Sequence, residues 1–137
     1  MTGVMSDTGQ PADDAGLQAL IDRLASGPPT GHADWTQGAL QWAAEGLPGL
    51  PALLPLLTHA EPLVRLRAQR VLERASRDWV AQRVVERPLA RRVDTAWAYL
   101  WAHNGSYDWQ GDEANRAASV ERWRQWLVTP QLPAAPG

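Results

Sequence analysis

Apolar residues recur every three or four positions through most of this chain, which is the spacing of an α-helix that buries one side. The stretches with this period are separated by short runs of glycine, proline, asparagine and aspartate, which favour turns. We find no stretch in which apolar and polar residues alternate between hairpin turns, as they do in a half-buried strand. The pattern therefore predicts an all-α protein.

Seven helices are predicted from this period and from the breakers between them. They cover roughly residues 15–26, 34–46, 50–59, 62–76, 78–87, 88–103 and 112–128. Asp34, Asp78 and Asp112 are the predicted N-caps of the second, fifth and seventh helices, because a carboxylate accepts hydrogen bonds from free first-turn N–H groups. Pro55 lies inside the third helix and is expected to bend it. Short connections predict antiparallel neighbours packed in two layers.

The two ends of the chain lack the helical period. Residues 1–13 are polar and predict a disordered N-terminal arm. Residues 130–137 are rich in proline and predict a disordered tail. A length of 137 residues is typical of one domain, so the predicted helical domain is residues 14–129.

One pair of predicted helices, at about residues 48–76, has a more specific pattern. An almost wholly apolar helix, LPALLPLL, is followed by a tight turn and by EPLVRLRAQRVL. This pair resembles a HEAT repeat, one of the armadillo-like helical repeats, whose characteristic positions are held by Glu61, Val64, Arg65, Ala68 and Leu72. The resemblance implies a short α-α superhelix of stacked helical pairs, and a role as a scaffold or docking surface.

Composition excludes several classes of function. The chain has no cysteine, so it has no disulfides, thiolate nucleophile or cysteine-bound zinc. The opening residues lack the features of a secretory signal, and no apolar run approaches the roughly 20 residues of a membrane-spanning helix. We therefore predict a cytoplasmic protein that makes no membrane contact. All thirteen basic residues are arginine, which is typical of GC-rich, bacterial-like coding.

The arginines are concentrated in one part of the chain. Residues 62–92 carry nine arginines and three acids, a net charge of +6, although the whole chain has a net charge of −2. The candidate contact residues lie on one helical stripe and on the segment after it: Arg67, Arg70, Arg74, Arg77, Arg83 and Arg87. We predict that they bind a protein partner with an acidic surface. The alternatives are a nucleic-acid or phosphate backbone held by arginines of residues 65–92, and a solvated face neutralised within the molecule.

A small-ligand site is a further alternative. Arg92, Tyr99 and His103 share one flank of the sixth predicted helix, at positions i, i+7 and i+11. The sequence has no phosphate-binding loop, nucleophile elbow or HExxH motif, and no histidine has a ligand partner one turn away. We therefore predict no metal, no cofactor and no catalytic activity. The eight tryptophans lie mostly on apolar stripes and are predicted to be core residues.

Overall fold

The computed structural model describes residues 14–28, 30–84 and 89–133. Every regular element within these ranges is a helix, which confirms the all-α prediction. Six α-helices are present there instead of seven: α1 (Asp14–Ala25), α2 (Gln37–Ala44), α3 (Leu50–Leu53), α4 (Pro62–Ala81), α5 (Leu89–His103) and α6 (Glu113–Val128). Short 3-10 turns at Leu47–Gly49 and Leu54–Thr58 flank α3. The predicted arm at 1–13 and the end of the predicted tail, 134–137, lie outside the described residues.

Helix α4 accounts for the difference in number. It continues for twenty residues through Asp78, where the sequence predicts the cap of a separate helix. The apolar stripe extends through Trp79 and Val80, which are both buried, so packing favours continuation over a break. The Asp78 carboxylate accepts a hydrogen bond from Arg74 one turn earlier instead of capping a new helix.

Two other predicted boundaries are resolved by local chemistry. The side chain of Thr36, not that of Asp34, caps α2 by accepting a hydrogen bond from the Ala39 amide at 2.9 Å. Asp112 caps α6 as predicted, accepting from the Asn115 amide at 2.7 Å. The bend expected at Pro55 takes the form of a change from α to 3-10 geometry at Leu54, since proline has no N–H to continue the α pattern.

Helix α4 lies at the centre of the molecule. It packs against α1, α2, α3, α5 and the Leu54–Thr58 turn. All six helices and the Leu54–Thr58 turn contribute large side chains that are almost completely buried: Leu24, Trp42, Leu50, Leu53, Leu54, Leu56, Leu57, Leu72, Leu100 and Trp123 among them. The five leucines of segment 50–57 are therefore buried, as its composition predicts, whereas Pro51 and Ala52 are exposed.

The helices can be grouped into three successive pairs: α1 with α2, α3 and its following turn with α4, and α5 with α6. These pairs do not all pack in the same order. Identical stacked repeats would place equivalent helices side by side. The first two pairs follow this rule, because α1 contacts the Leu54–Thr58 turn and α2 contacts α4. In the third pair, α5 lies mainly against α4, and α6 lies mainly against the Leu54–Thr58 turn. The last pair thus closes the fold with its two helices exchanged.

Tryptophan rings join the third pair to the rest of the core. Four successive ring contacts at 5.0–5.7 Å link Trp97, Trp101, Trp123, Trp126 and Trp79. These contacts run from α5 through α6 to α4, mostly edge to face, which is a favourable geometry for indoles. The indole N–H of Trp126 also donates to the Gln131 carbonyl at 2.8 Å, so the start of the predicted tail is bonded to α6.

Candidate interaction surface

Arg65 belongs to the basic segment but does not reach the surface. Arg65 is only 8% exposed. Its guanidinium donates to the carbonyls of Trp109, His59 and Ala60 at 2.8–2.9 Å. A planar group with five donors suits three carbonyls that approach from two different loops. Arg65 therefore fastens the turn before α4 to the loop before α6.

The other four arginines of α4 lie on the side that faces away from the core. Arg67, Arg70 and Arg77 are half-buried and Arg74 is exposed. Their positions follow the i, i+3, i+7, i+10 spacing of one helical stripe. Leu63, at the N-terminal end of the same side, is also exposed. We call this surface, made of Leu63, Arg67, Arg70, Arg74 and Arg77, the arginine face.

Arg70 is held within the molecule by two carboxylates. Its Nε donates to Asp34 Oδ2 at 2.9 Å and its Nη1 donates to Glu73 Oε1 at 3.0 Å. The hydrogen bond from Arg70 holds the pKa of Asp34 below its usual range, although partial burial opposes this. Partial burial lowers the pKa of Arg70, but its bonds and charge interactions with Asp34 and Glu73 outweigh that effect and raise it. This contact ties the loop before α2 to α4.

Arg74 and Arg77 form more exposed ion pairs. Arg74 Nε lies 3.3 Å from Asp78 Oδ2, and the two side chains are 56% and 54% exposed. Arg77 pairs with Asp94 of α5. Pairs this exposed contribute at most about 1 kcal/mol to folding, so carboxylates from another molecule can replace Asp78 and Asp94.

Arg67 is the one arginine of this face without an acidic partner among the described residues. Its Nε donates to the Ala33 carbonyl at 2.7 Å. The face therefore combines four guanidinium groups with the carboxylates of Asp34, Glu73, Asp78 and Asp94. Their charges cancel, which makes the face much less positive than the +6 of the sequence segment indicates.

The remaining predicted contact residues lie beyond this face. The Arg83 guanidinium stacks over the Trp79 ring, 4.0 Å from its centroid, and donates to the Trp79 carbonyl. Arg83 thus covers the C-terminal end of α4. Arg87 lies outside the described residues.

The predicted cluster of Arg92, Tyr99 and His103 is spread along α5. Eleven residues separate its ends, which is about 16 Å along a helix axis, and Tyr99 is exposed between them. His103 instead borders a cleft with residues of α6, and neither Arg92 nor Tyr99 lines that cleft. The structure therefore places His103 with residues that the sequence pattern does not select, above all Asn104 and Arg122.

Two general features bear on the type of site. Among the described residues, no three histidine, aspartate or glutamate side chains are grouped as a metal ion would require. The helices formed by those residues are all too short or too polar to cross a membrane.

Sequence reasoning also misses the acids that face the arginines from other elements. Asp94 lies 17 positions after Arg77, and Asp34 lies 36 positions before Arg70. The overall acidity of residues 1–61 is the one signal that indicates such neutralisation.

No family model, curated protein or solved structure matches this chain.

Proposed function

We propose that this chain is a non-catalytic, helical protein-interaction module that binds an acidic protein segment through its arginine face. The observation that carries the proposal is the state of Arg74 and Arg77. Their guanidinium groups lie on the outward side of the central helix and are held only by exposed ion pairs. Such groups can exchange one carboxylate partner for another at little cost.

The spacing of the available arginines defines the shape of the partner. Arg67, Arg74 and Arg77 span ten residues of one helix, or about 15 Å. An extended segment of roughly five residues covers that length. An acidic side chain at one end of such a segment would reach Arg67, and an acidic side chain at the other end would reach Arg74 and Arg77.

The cancelled charges of this face favour a protein over a nucleic acid. Binding to a phosphate backbone depends on a strong positive potential that releases counterions. Asp78 and Asp94 would lie against the phosphates and oppose that binding. A protein segment can place neutral or basic side chains opposite these two aspartates.

The titratable groups support a role without catalysis. Among the described residues, the pKa of Asp34 is lowered, and the pKa values of Arg70 and Tyr107 are raised. Asp34 and Arg70 bond to each other, and the buried Tyr107 hydroxyl donates to the Leu57 carbonyl. Shifted pKa values at functional sites usually belong to groups facing a cleft, whereas these three groups hold elements of the fold together. The resemblance of residues 48–76 to a HEAT repeat supports the same proposal, since such repeats commonly serve as docking surfaces.

A charge reversal with a matched control tests this proposal. Arg74→Glu and Arg124→Glu each reverse one arginine that is about half exposed and paired with an acid on its own helix. The probe is a fluorescein-labelled oligo-glutamate peptide, and its anisotropy is followed at low and moderate salt. We expect wild type and Arg124→Glu to bind, with affinity falling as salt rises, and Arg74→Glu to bind several-fold more weakly.

Two results would contradict the proposal. If both variants lose the same affinity, the effect reflects net charge and not the arginine face. If a single-stranded oligonucleotide binds more tightly than the peptide and is weakened by Arg74→Glu, the face serves nucleic acid instead.

A further inference from the structure

A polar cleft lies where α6 crosses the C-terminal end of α5. Its volume is about 450 Å³. Besides the indole of Trp126, its lining is polar: His103, Asn104, Arg122, Gln125, Thr129 and Gln131. No carboxylate is part of this lining.

Asn104 is the most unusual residue of the cleft. It is only 1% exposed. Its backbone is fully used, because its N–H donates to the Leu100 carbonyl and its carbonyl accepts from the Ser119 hydroxyl. Its side-chain Nδ2 is buried and has no hydrogen-bond partner. A buried donor without a partner is unfavourable and calls for an explanation at that site.

Arg122 supplies a cation with unused donors. Its one hydrogen bond within the described part of the chain runs from Nη1 to the His103 carbonyl, at 3.3 Å. It forms no ion pair with the described residues. The neighbouring carboxylate, Glu121, bonds to Arg124 and Gln125. The guanidinium can therefore bind an incoming acceptor without giving up an internal carboxylate.

The end of α5 would ordinarily repel an anion, because its last carbonyls carry partial negative charge. Here the chain reverses through Gly105, whose positive φ of 94° suits such a turn. The amides of Gly105 and Ser106 then donate to the carbonyls of Ala102 and Trp101. With the His103 and Asn104 carbonyls also bonded, the carbonyls at this end of α5 all accept hydrogen bonds from within the protein.

We propose that this cleft binds a small molecule through an oxyanion group, a phosphate or a carboxylate. Arg122 and the buried amide of Asn104 bind the oxyanion oxygens, since charge-assisted bonds to a guanidinium and an amide donor suit such a group. The cleft is larger than a bare phosphate. The Gln125 amide and the Thr129 hydroxyl at its rim bind the remainder of the molecule. This site is separate from the arginine face and extends beyond the function proposed for that face.

The test is a titration of the full-length, ¹⁵N-labelled protein with sodium phosphate and, separately, with sodium citrate. Sodium chloride at equal ionic strength is the reference. We expect saturable shifts of the Asn104 side-chain amide and the Trp126 indole N–H with at least one oxyanion. Arg122→Gln is expected to weaken that binding about tenfold or more, as loss of a charged hydrogen bond does. Arg124→Gln, on another side of α6, is the matched control and is expected to bind as wild type does.

The relative affinity for phosphate and citrate identifies which oxyanion the cleft prefers. The proposal is overturned if neither oxyanion gives a saturable shift, if chloride gives the same shifts, or if Arg122→Gln binds as tightly as Arg124→Gln. Because Arg122 is exposed, its substitution leaves the core intact. Asn104→Asp provides a second variant, in which an added negative charge is expected to abolish binding.

Discussion

The two sides of helix α4 use the same residue type in opposite ways. Arg65, on the inner side, is almost fully buried and donates to three carbonyls of two loops. Arg74, two and a half turns later on the outer side, is half exposed and has one carboxylate partner. The difference shows that the number of arginines in a segment does not measure the charge it presents. One arginine here organises the fold, and the other is available for exchange.

We expect Arg65 to contribute more to the stability of the fold than Arg74. Replacing Arg65 with Met keeps the volume but leaves three carbonyls without their donor. We expect a loss of about 3 kcal/mol or more in the free energy of unfolding. Urea denaturation followed by tryptophan fluorescence measures it. Arg74→Met is the matched control and is expected to change stability by less than about 0.5 kcal/mol. Equal losses in the two variants would remove the distinction between the two sides.

The buried hydrogen bond of Tyr107 provides a second test of the interior. Its hydroxyl donates to the Leu57 carbonyl at 2.5 Å, and Tyr107→Phe should cost about 1–2 kcal/mol at neutral pH. Burial raises the pKa of Tyr107, although the charges of Arg65 and Arg116 oppose it. The stabilising effect of the neutral phenol is therefore present below about pH 10, where an unfolded tyrosine titrates, and is lost as pH rises further.

The stability difference between wild type and Tyr107→Phe should accordingly narrow above pH 10. The chain has no lysine, so few other side chains titrate in that range. Tyr99→Phe, at an exposed position of α5, provides the control. A difference that stays constant from neutral to alkaline pH would contradict the predicted role of burial.

The Asp34–Arg70 ion pair is intermediate in exposure between Arg65 and Arg74, with both of its side chains a little under one-third exposed. Asp34→Asn is expected to cost less than about 1 kcal/mol at pH 7. Because the pKa of Asp34 is lowered in the folded state, its contribution is present above the ordinary value of 3.8 and is lost as pH falls below it. Unfolding free energies measured from pH 6 to pH 3 should show wild type and variant converging at the acidic end. If the stability difference between wild type and Asp34→Asn widens at acidic pH, the pKa of Asp34 is not lowered in the folded state.

The helices and their buried sides could be predicted because both depend on local sequence. Apolar periodicity identifies the buried apolar residues of α4 and α6, and Asp112 is recognisable as a cap from its position alone. Asp78 is ambiguous because aspartate serves equally well as an N-cap and as an i+4 partner of arginine. Only the packing of Trp79 and Val80 decides in favour of a continuous helix.

The candidate sites were less predictable because they depend on contacts between distant elements. The sequence shows where Arg77 lies on its helix but not that Asp94 faces it from α5. The cleft likewise forms because α6 crosses the end of α5 and brings Arg122 beside His103 and Asn104. No periodic pattern encodes that crossing.

The connected tryptophans give this molecule an optical consequence. Indole rings 5.0–5.7 Å apart share their electronic excitations, so the five rings that link α5, α6 and α4 should produce exciton bands in the ultraviolet circular dichroism spectrum. These bands depend on the third helical pair being docked, while the helical signal does not. Trp126 also lines the polar cleft, so the same coupled chromophores would respond, without any added label, when that cleft is filled.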